Sequence, residues 1–144
     1  MSQVDFHTGL ADKLPYACRL LRKAYRAGRR VVVTGDAQQL ARLDQLLWTF
    51  DPGEFIPHAR LRAGEQPAAR LAPTPLWLAD RPADAGPADV LVNLGPAALD
   101  AVPLPARTIE LVARGDDDVA AGRLRWRQHV AAGRTPTNHP QADG

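Results

Sequence analysis

Apolar residues in this chain fall into two alternating kinds of pattern. Short unbroken runs suit buried strands, and longer stretches with apolar positions three or four apart suit helices. Val4 to His7 predicts a short first strand. Asp12 then reads as an N-cap with Pro15 in the first turn, followed by Leu14, Ala17, Leu20, Leu21 and Ala24 at helical spacing and a stop at Gly28. Arg29-Arg30 leads into Val31-Val32-Val33, a β-branched run expected of a parallel strand covered on both faces. After Thr34-Gly35-Asp36, with Asp36 as the cap, a second helix carries Ala37, Leu40, Leu43 and Leu47.

Residues 59–75 are rich in Ala, Arg, Pro and Gly and predict a surface connection holding at most a short strand. Leu76 to Leu78, Val90 to Leu94 and Thr108 to Val112 read as three further strands. The three prolines in residues 95–105 limit any helix there to a short one. A last helix is expected from about Asp116 to Ala132, stopping at Gly133. The final eleven residues lack an apolar pattern, which predicts one domain over residues 1–133 and a flexible tail over 134–144. Strands alternating with helices imply an α/β fold, with a mostly parallel sheet and helices on both faces.

On a helical wheel of about 100° per residue, Val119, Ala120, Arg123, Leu124, Trp126, Arg127, Val130 and Ala131 share an arc of roughly 160°. That arc is the side expected to face the protein, with Arg125 and His129 opposite. Two readings follow for Arg123 and Arg127, which stand one turn apart. They snorkel from the edge of the buried face, or they converge on carboxylates in a peptide pocket walled by Trp126 and Val130.

The stretch Leu46 to His58 holds three of the chain's aromatic residues, Trp48, Phe50 and Phe55. Trp48 lies on the shoulder of its helix's apolar stripe. It either closes the core against Phe55 or belongs to a partner-binding patch.

Composition narrows the remaining chemistry. The net charge of +2 and the scatter of 18 basic residues give no dense patch for nonspecific DNA binding. No run is long and apolar enough for a membrane helix, and residues 1–10 do not read as a signal peptide. A single cysteine, Cys18, fits a reducing cytoplasm and reads as a buried, inert thiol. The Thr34-Gly35-Asp36 turn lacks phosphate-cradling glycines, and an aspartate cap opposes a phosphate there. His7, His58, His129 and His139 show no metal-ligand spacing, and Asp116-Asp117-Asp118 reads as helix capping. No catalytic residue, metal or cofactor is expected.

Taken together, the chain resembles the chi subunit of bacterial DNA polymerase III holoenzyme. The resemblance rests on Leu40-Ala41-Arg42-Leu43-Asp44, Leu47-Trp48 with Phe55-Ile56-Pro57-His58, and Gly28-Arg29-Arg30-Val31-Val32-Val33. Gly122-Arg123-Leu124-Arg125-Trp126-Arg127 and Ala132-Gly133 complete it. It implies a Rossmann-like three-layer fold without nucleotide chemistry, and a noncatalytic replisome subunit in the cytoplasm. It also implies two partners: the acidic, phenylalanine-ending tail of single-stranded DNA-binding protein, and the psi subunit of the clamp loader. Some relatives use the psi-facing surface for a repair helicase. The tail site maps onto Val112, Arg123, Trp126 and Arg127, and the psi surface onto Trp48 and Phe55, leaving DNA contact mainly indirect. Val119 replaces a basic residue of some relatives, Trp126 a tyrosine, and Arg134 and Pro136 also depart from the family pattern. The alternatives are a nucleotide-binding α/β enzyme and direct binding of single-stranded DNA.

Overall fold

The computed structural model describes residues 2–99 and 103–142. Among these, seven strands form one sheet: β1 (Gln3–Leu10), β2 (Val31–Thr34), β3 (His58–Leu61), β4 (Leu76–Ala79), β5 (Val90–Asn93), β6 (Arg107–Ala113) and β7 (Thr137–Pro140). The spatial order is β3-β4-β2-β5-β6-β1-β7, and every neighbouring pair is parallel. Helices α1 (Lys13–Arg26) and α2 (Ala37–Thr49) cover one face, and α3 (Asp116–Ala131) covers part of the other.

Local signals set these elements. The Asp12 and Asp36 side chains accept from the backbone N–H groups of Leu14 and Gln39, capping α1 and α2. Gly28 leaves α1 with φ +74°. The run Val31-Val32-Val33 is buried throughout because its residues feed both layers. Val31 and Val33 join the core beneath α1 and α2, whereas Val32 joins Trp77 and Leu91 on the far side.

Two expectations need correction. The first concerns which way α3 faces. Arg125 and His129, expected in solvent, are buried, with Arg125 only 1% exposed. Leu124 and Val130, expected inside, are 58% and 52% exposed. The cause is Glu110, wholly buried in β6 on the side facing α3. An ionised carboxylate is tolerated in the interior only with charged or hydrogen-bonding partners. Arg125 Nε donates to Glu110 Oε1 at 2.9 Å, and Asn93 Nδ2 donates to the same oxygen at 2.9 Å. His129 Nε2 lies 2.8 Å from Oε2, while Arg134 Nε donates to His129 Nδ1 at 3.0 Å. With Nδ1 accepting, Nε2 is left to donate to the carboxylate. Gly122 completes the seat, because a Cβ there would lie 2.8 Å from Val112 Cγ2. The buried stripe is therefore Gly122, Arg125 and His129, roughly opposite the apolar arc.

The second correction concerns the C-terminal segment. Residues 137–140, expected within a loose tail, form an edge strand paired with β1 from Asp5↔Thr137 to Thr8↔Pro140. Polar bonds replace an apolar pattern. Thr8 Oγ1 donates to Asn138 Oδ1 at 2.8 Å, His139 Nε2 lies 2.9 Å from Asp5 Oδ1, and Gln141 N donates to Thr8 O at 2.9 Å. Residues 143 and 144 lie outside the described residues.

Glu110→Ala should lower the unfolding free energy by about 3–5 kcal/mol, because it strands a buried arginine. Urea denaturation followed by circular dichroism measures this, and a loss below about 1 kcal/mol would show that the network does not seat α3.

Candidate functional site

The outward turn of α3 and the carboxyl-end half of β1 enclose a groove of about 720 Å³. Val112 from β6 and Arg123, Trp126 and Arg127 from α3, the four residues expected from the sequence, all line it. Strand alternation puts Phe6 and Thr8 of β1 on the same sheet face, and Asn138 of β7 closes the outer side. Phe6 backs the indole of Trp126, with ring centroids 5.0 Å apart at 56°. Trp126 is half-buried as a result, a rigid apolar wall with one face available.

Arg123 and Arg127 are exposed at the rim, and no carboxylate among the described residues pairs with either. Arg114 adds a third guanidinium, partly committed to Gly9 O at 2.9 Å and Ala142 O at 3.1 Å. The groove thus combines an apolar floor with a cationic rim, suited to an apolar side chain flanked by carboxylates. Val130, expected as a wall, stands outside it. Phe6, Thr8, Arg114 and Asn138 were not anticipated. Asn138 was missed because its segment read as a tail, while Phe6 could have been found from the alternation of Val4, Phe6 and Thr8.

Trp48 and Phe55 meet elsewhere, at the end of α2. Their rings stack at 5.3 Å and 31°, yet remain 60% and 58% exposed. Trp48 packs on Phe55 without closing the core, since Leu47 and Ile56 already do so. The aromatic pair is held from behind. Trp48 rests edge-on against buried His58 at 4.9 Å, and His58 Nδ1 bonds Ile56 O at 2.8 Å. His58 Nε2 lies 2.9 Å from Asp44 Oδ1 but is not aligned for a hydrogen bond. The intervening loop is fixed to α1 by Arg26–Glu54 at 2.8 Å and Arg22–Asp51 at 3.3 Å.

The turn where this architecture usually binds nucleotides is filled by the protein itself. A Cβ on Gly35 would lie 2.9 Å from Leu94 Cβ, so this glycine permits packing of two loops. Gln39 Nε2 donates to Asp36 Oδ2 at 3.0 Å and to Gly95 O at 2.8 Å, tying the loops together. Cys18 is buried, which pushes its thiol up to about 11 and keeps it protonated. Asp118 accepts from Ala113 N at 2.6 Å and Lys13 Nζ at 2.9 Å, bracing the start of α3.

The family described as DNA polymerase III chi subunit, HolC, matches residues 1–137. The chain belongs to the DNA polymerase III chi family. The chain is 35% identical over 144 residues to the DNA polymerase III subunit chi of Pseudomonas aeruginosa, covering 96% of each. It is 31% identical over 116 residues to that of Haemophilus influenzae, covering 78% of this chain and 76% of the relative. With the Escherichia coli subunit it shares 26% identity over 126 residues, covering 87% and 83%. In fold it is similar to the C-terminal domain of the DEAD-box protein Dbp5, with a TM-score of 0.65 at 13% identity, covering 99% and 92%. That likeness concerns architecture alone. The chi-family match spans β1, β6 and α3, so it includes the main walls of the groove as well as the Trp48–Phe55 pair. No helix among the described residues is long and apolar enough to cross a membrane.

Trp48→Ala and Phe55→Ala should each change stability by less than about 1 kcal/mol, whereas Leu47→Ala should cost about 2–5 kcal/mol. Chemical denaturation of the three variants checks this. A large loss in the Trp48 variant would make it a core residue.

Proposed function

We propose that this chi-family chain is a noncatalytic accessory subunit that bridges single-stranded DNA-binding protein to the clamp loader in the cytoplasm. The α3 groove takes the acidic, phenylalanine-ending tail of the former. Trp48 and Phe55 take psi, and through it the chain joins the replicative polymerase holoenzyme. The carrying observation is the clustering of Val112, Arg123, Trp126 and Arg127 around one groove that has an apolar floor and a cationic rim.

The chemistry follows from those groups. A terminal phenylalanine enters between Val112 and Trp126 with Phe6 beneath, burying an aromatic face. The tail's carboxylates meet Arg123 and Arg127, whose planar guanidinium groups bind carboxylates through paired N–H donors. Contact with DNA is then mainly indirect, through the bound protein.

Two partners need two places, and sheet order supports this. Trp48 and Phe55 sit beside β3 at one edge, whereas the groove sits over β6, β1 and β7 at the other. The five strand steps from β3 to β1, at about 4.8 Å each, separate them by about 24 Å. One chain can therefore hold both partners at once. A repair helicase using the Trp48–Phe55 surface would compete with psi without displacing the tail. The filled turn at Gly35 favours this adaptor reading over a nucleotide-dependent enzyme.

Titration of a peptide with the acidic, phenylalanine-ending tail sequence should show binding about 10- to 100-fold weaker for Arg127→Ala, with affinity falling as salt rises. Equal affinity in wild type and variant would remove the groove from consideration. In pull-downs, Trp48→Ala should lose psi and keep single-stranded DNA-binding protein, and Arg127→Ala should do the reverse. Loss of both partners from either variant would argue against separate surfaces.

A further inference from the structure

A second cavity, of about 710 Å³, lies on the opposite face of β1 from the α3 groove, beneath α1 and near the amino ends of the strands. Strand alternation separates the two. Phe6 and Thr8 face the groove, while His7 between them faces this cleft. Neither partner surface described above uses it.

Its charge is concentrated in a way the sequence conceals. Helix α1 carries four basic residues between Arg19 and Arg26, and they divide by face. Arg22 and Arg26 turn toward the α2 loop and are paired with Asp51 and Glu54. Arg19 and Lys23, one turn apart, turn toward the cleft, where Arg29 and Arg107 join them. No carboxylate among the described residues lies at ion-pair distance from Arg19, Lys23 or Arg29, whereas Arg107 is paired with Asp5 at 3.2 Å. The cleft's own carboxylate, Asp89, already accepts from Arg30 N at 2.8 Å. Three cations without an ion-pair partner therefore line one concavity, against a single carboxylate, Asp89.

The walls are aromatic. Tyr16 and His7 are joined through Tyr16 Oη and His7 Nδ1 at 2.6 Å, their rings edge to face at 5.7 Å. Burial, with His139 and Arg107 nearby, holds His7 below its ordinary pKa, so at neutral pH it presents an uncharged ring. Arg19 lies over the Tyr16 ring at 5.7 Å. Cations beside aromatic rings match a ligand that carries phosphates and a base. The volume falls in the range of small-molecule sites, about 300–1,000 Å³.

We propose that this cleft is a nucleotide-phosphate site, in which Arg19, Lys23 and Arg29 hold phosphates and the Tyr16 and His7 rings offer a base aromatic contacts. The ligand is a nucleotide, either free or as a unit of a single strand. This does not rest on the tail groove, which lies across the sheet and uses different arginines.

The test is fluorescence anisotropy with a labelled thymidine oligomer of about ten nucleotides at about 50 mM salt, with ATP as competitor. Saturable binding is expected, weakened at least tenfold by Arg19→Glu/Lys23→Glu and untouched by Arg123→Ala/Arg127→Ala. With three phosphate contacts, the logarithm of affinity should fall against the logarithm of salt with a slope of about −2. Displacement by ATP at matched phosphate concentration assigns the site to free nucleotide, and displacement only by unlabelled oligomer assigns it to a strand. Absence of saturable binding for both ligands would overturn the proposal, as would loss of binding in the Arg123/Arg127 variant instead. Because Arg19 and Lys23 are remote from the α3 groove, their variant should keep its affinity for the tail peptide. The two sites can then fail independently.

Discussion

One buried carboxylate governs how this molecule is put together on its α3 side. Glu110 sits in the middle of a strand covered on both faces, with no exposure to water. Left alone it would be too costly to bury as an anion. The chain answers it with Arg125 and His129 from α3, Asn93 from β5 and, one step further out, Arg134. Once those bonds are made, the rotation of α3 about its own axis is fixed. Arg125 goes inward, so Arg123 and Arg127, two residues to either side and about 200° away on the wheel, go outward. The apolar residues between them follow. A helix whose greasier face looks at solvent is unusual for a surface helix. Here it results from a stronger demand elsewhere.

The same network builds the groove. Val112 is two residues beyond Glu110 and projects from the same face of β6. Trp126 is the neighbour of Arg125, and Gly122 lets the helix come down onto Val112. Wall, floor and rim are thus each within a residue or two of a group that the buried charge holds. Positioning by a buried ionic network is rigid, because its members have few other places to go. For the proposed recognition of a short extended tail, such rigidity would reduce the ordering cost on the protein's side of the encounter.

Much of the fold was legible in the sequence because its signals are local. Asp12, Asp36, Gly28 and the valine run act over a few residues, and each element they predict is present, with ends shifted by at most three residues. What was not legible depends on groups distant in sequence. The amphipathic wheel gave the wrong side of α3 because it counts apolar residues and is blind to a charge on a neighbouring strand. The signal was nonetheless present: a glutamate inside Thr108-Ile109-Glu110-Leu111-Val112 needs a cation, and Arg125 sits in the element that follows. Strand β7 was missed because its hold on β1 consists of backbone pairing and polar contacts, which leave no apolar trace. The site residues Val112, Arg123, Trp126 and Arg127 nonetheless come together, because both orientations of the helix keep Arg123, Trp126 and Arg127 on one side.

The architecture also bears on why the candidate binding surfaces lie on the outside of the sheet. In doubly wound folds the crevice at the carboxyl ends of the strands is where ligands usually sit. Here Gly35 admits Leu94, and Gln39 fastens the two loops, so that crevice is spent on packing. Among the described residues, the two largest concave surfaces lie where helices ride over the sheet without filling it. One such place lies under the outward turn of α3 and another under α1. Both are rimmed by arginine, a residue whose stem packs on apolar surface while its head stays wet. Convex binding surface needs a different device. Trp48 and Phe55 can stay exposed and fixed because Leu47, Ile56 and His58 behind them are buried. The proposed partner recognition therefore depends on how completely the interior of this chain is filled.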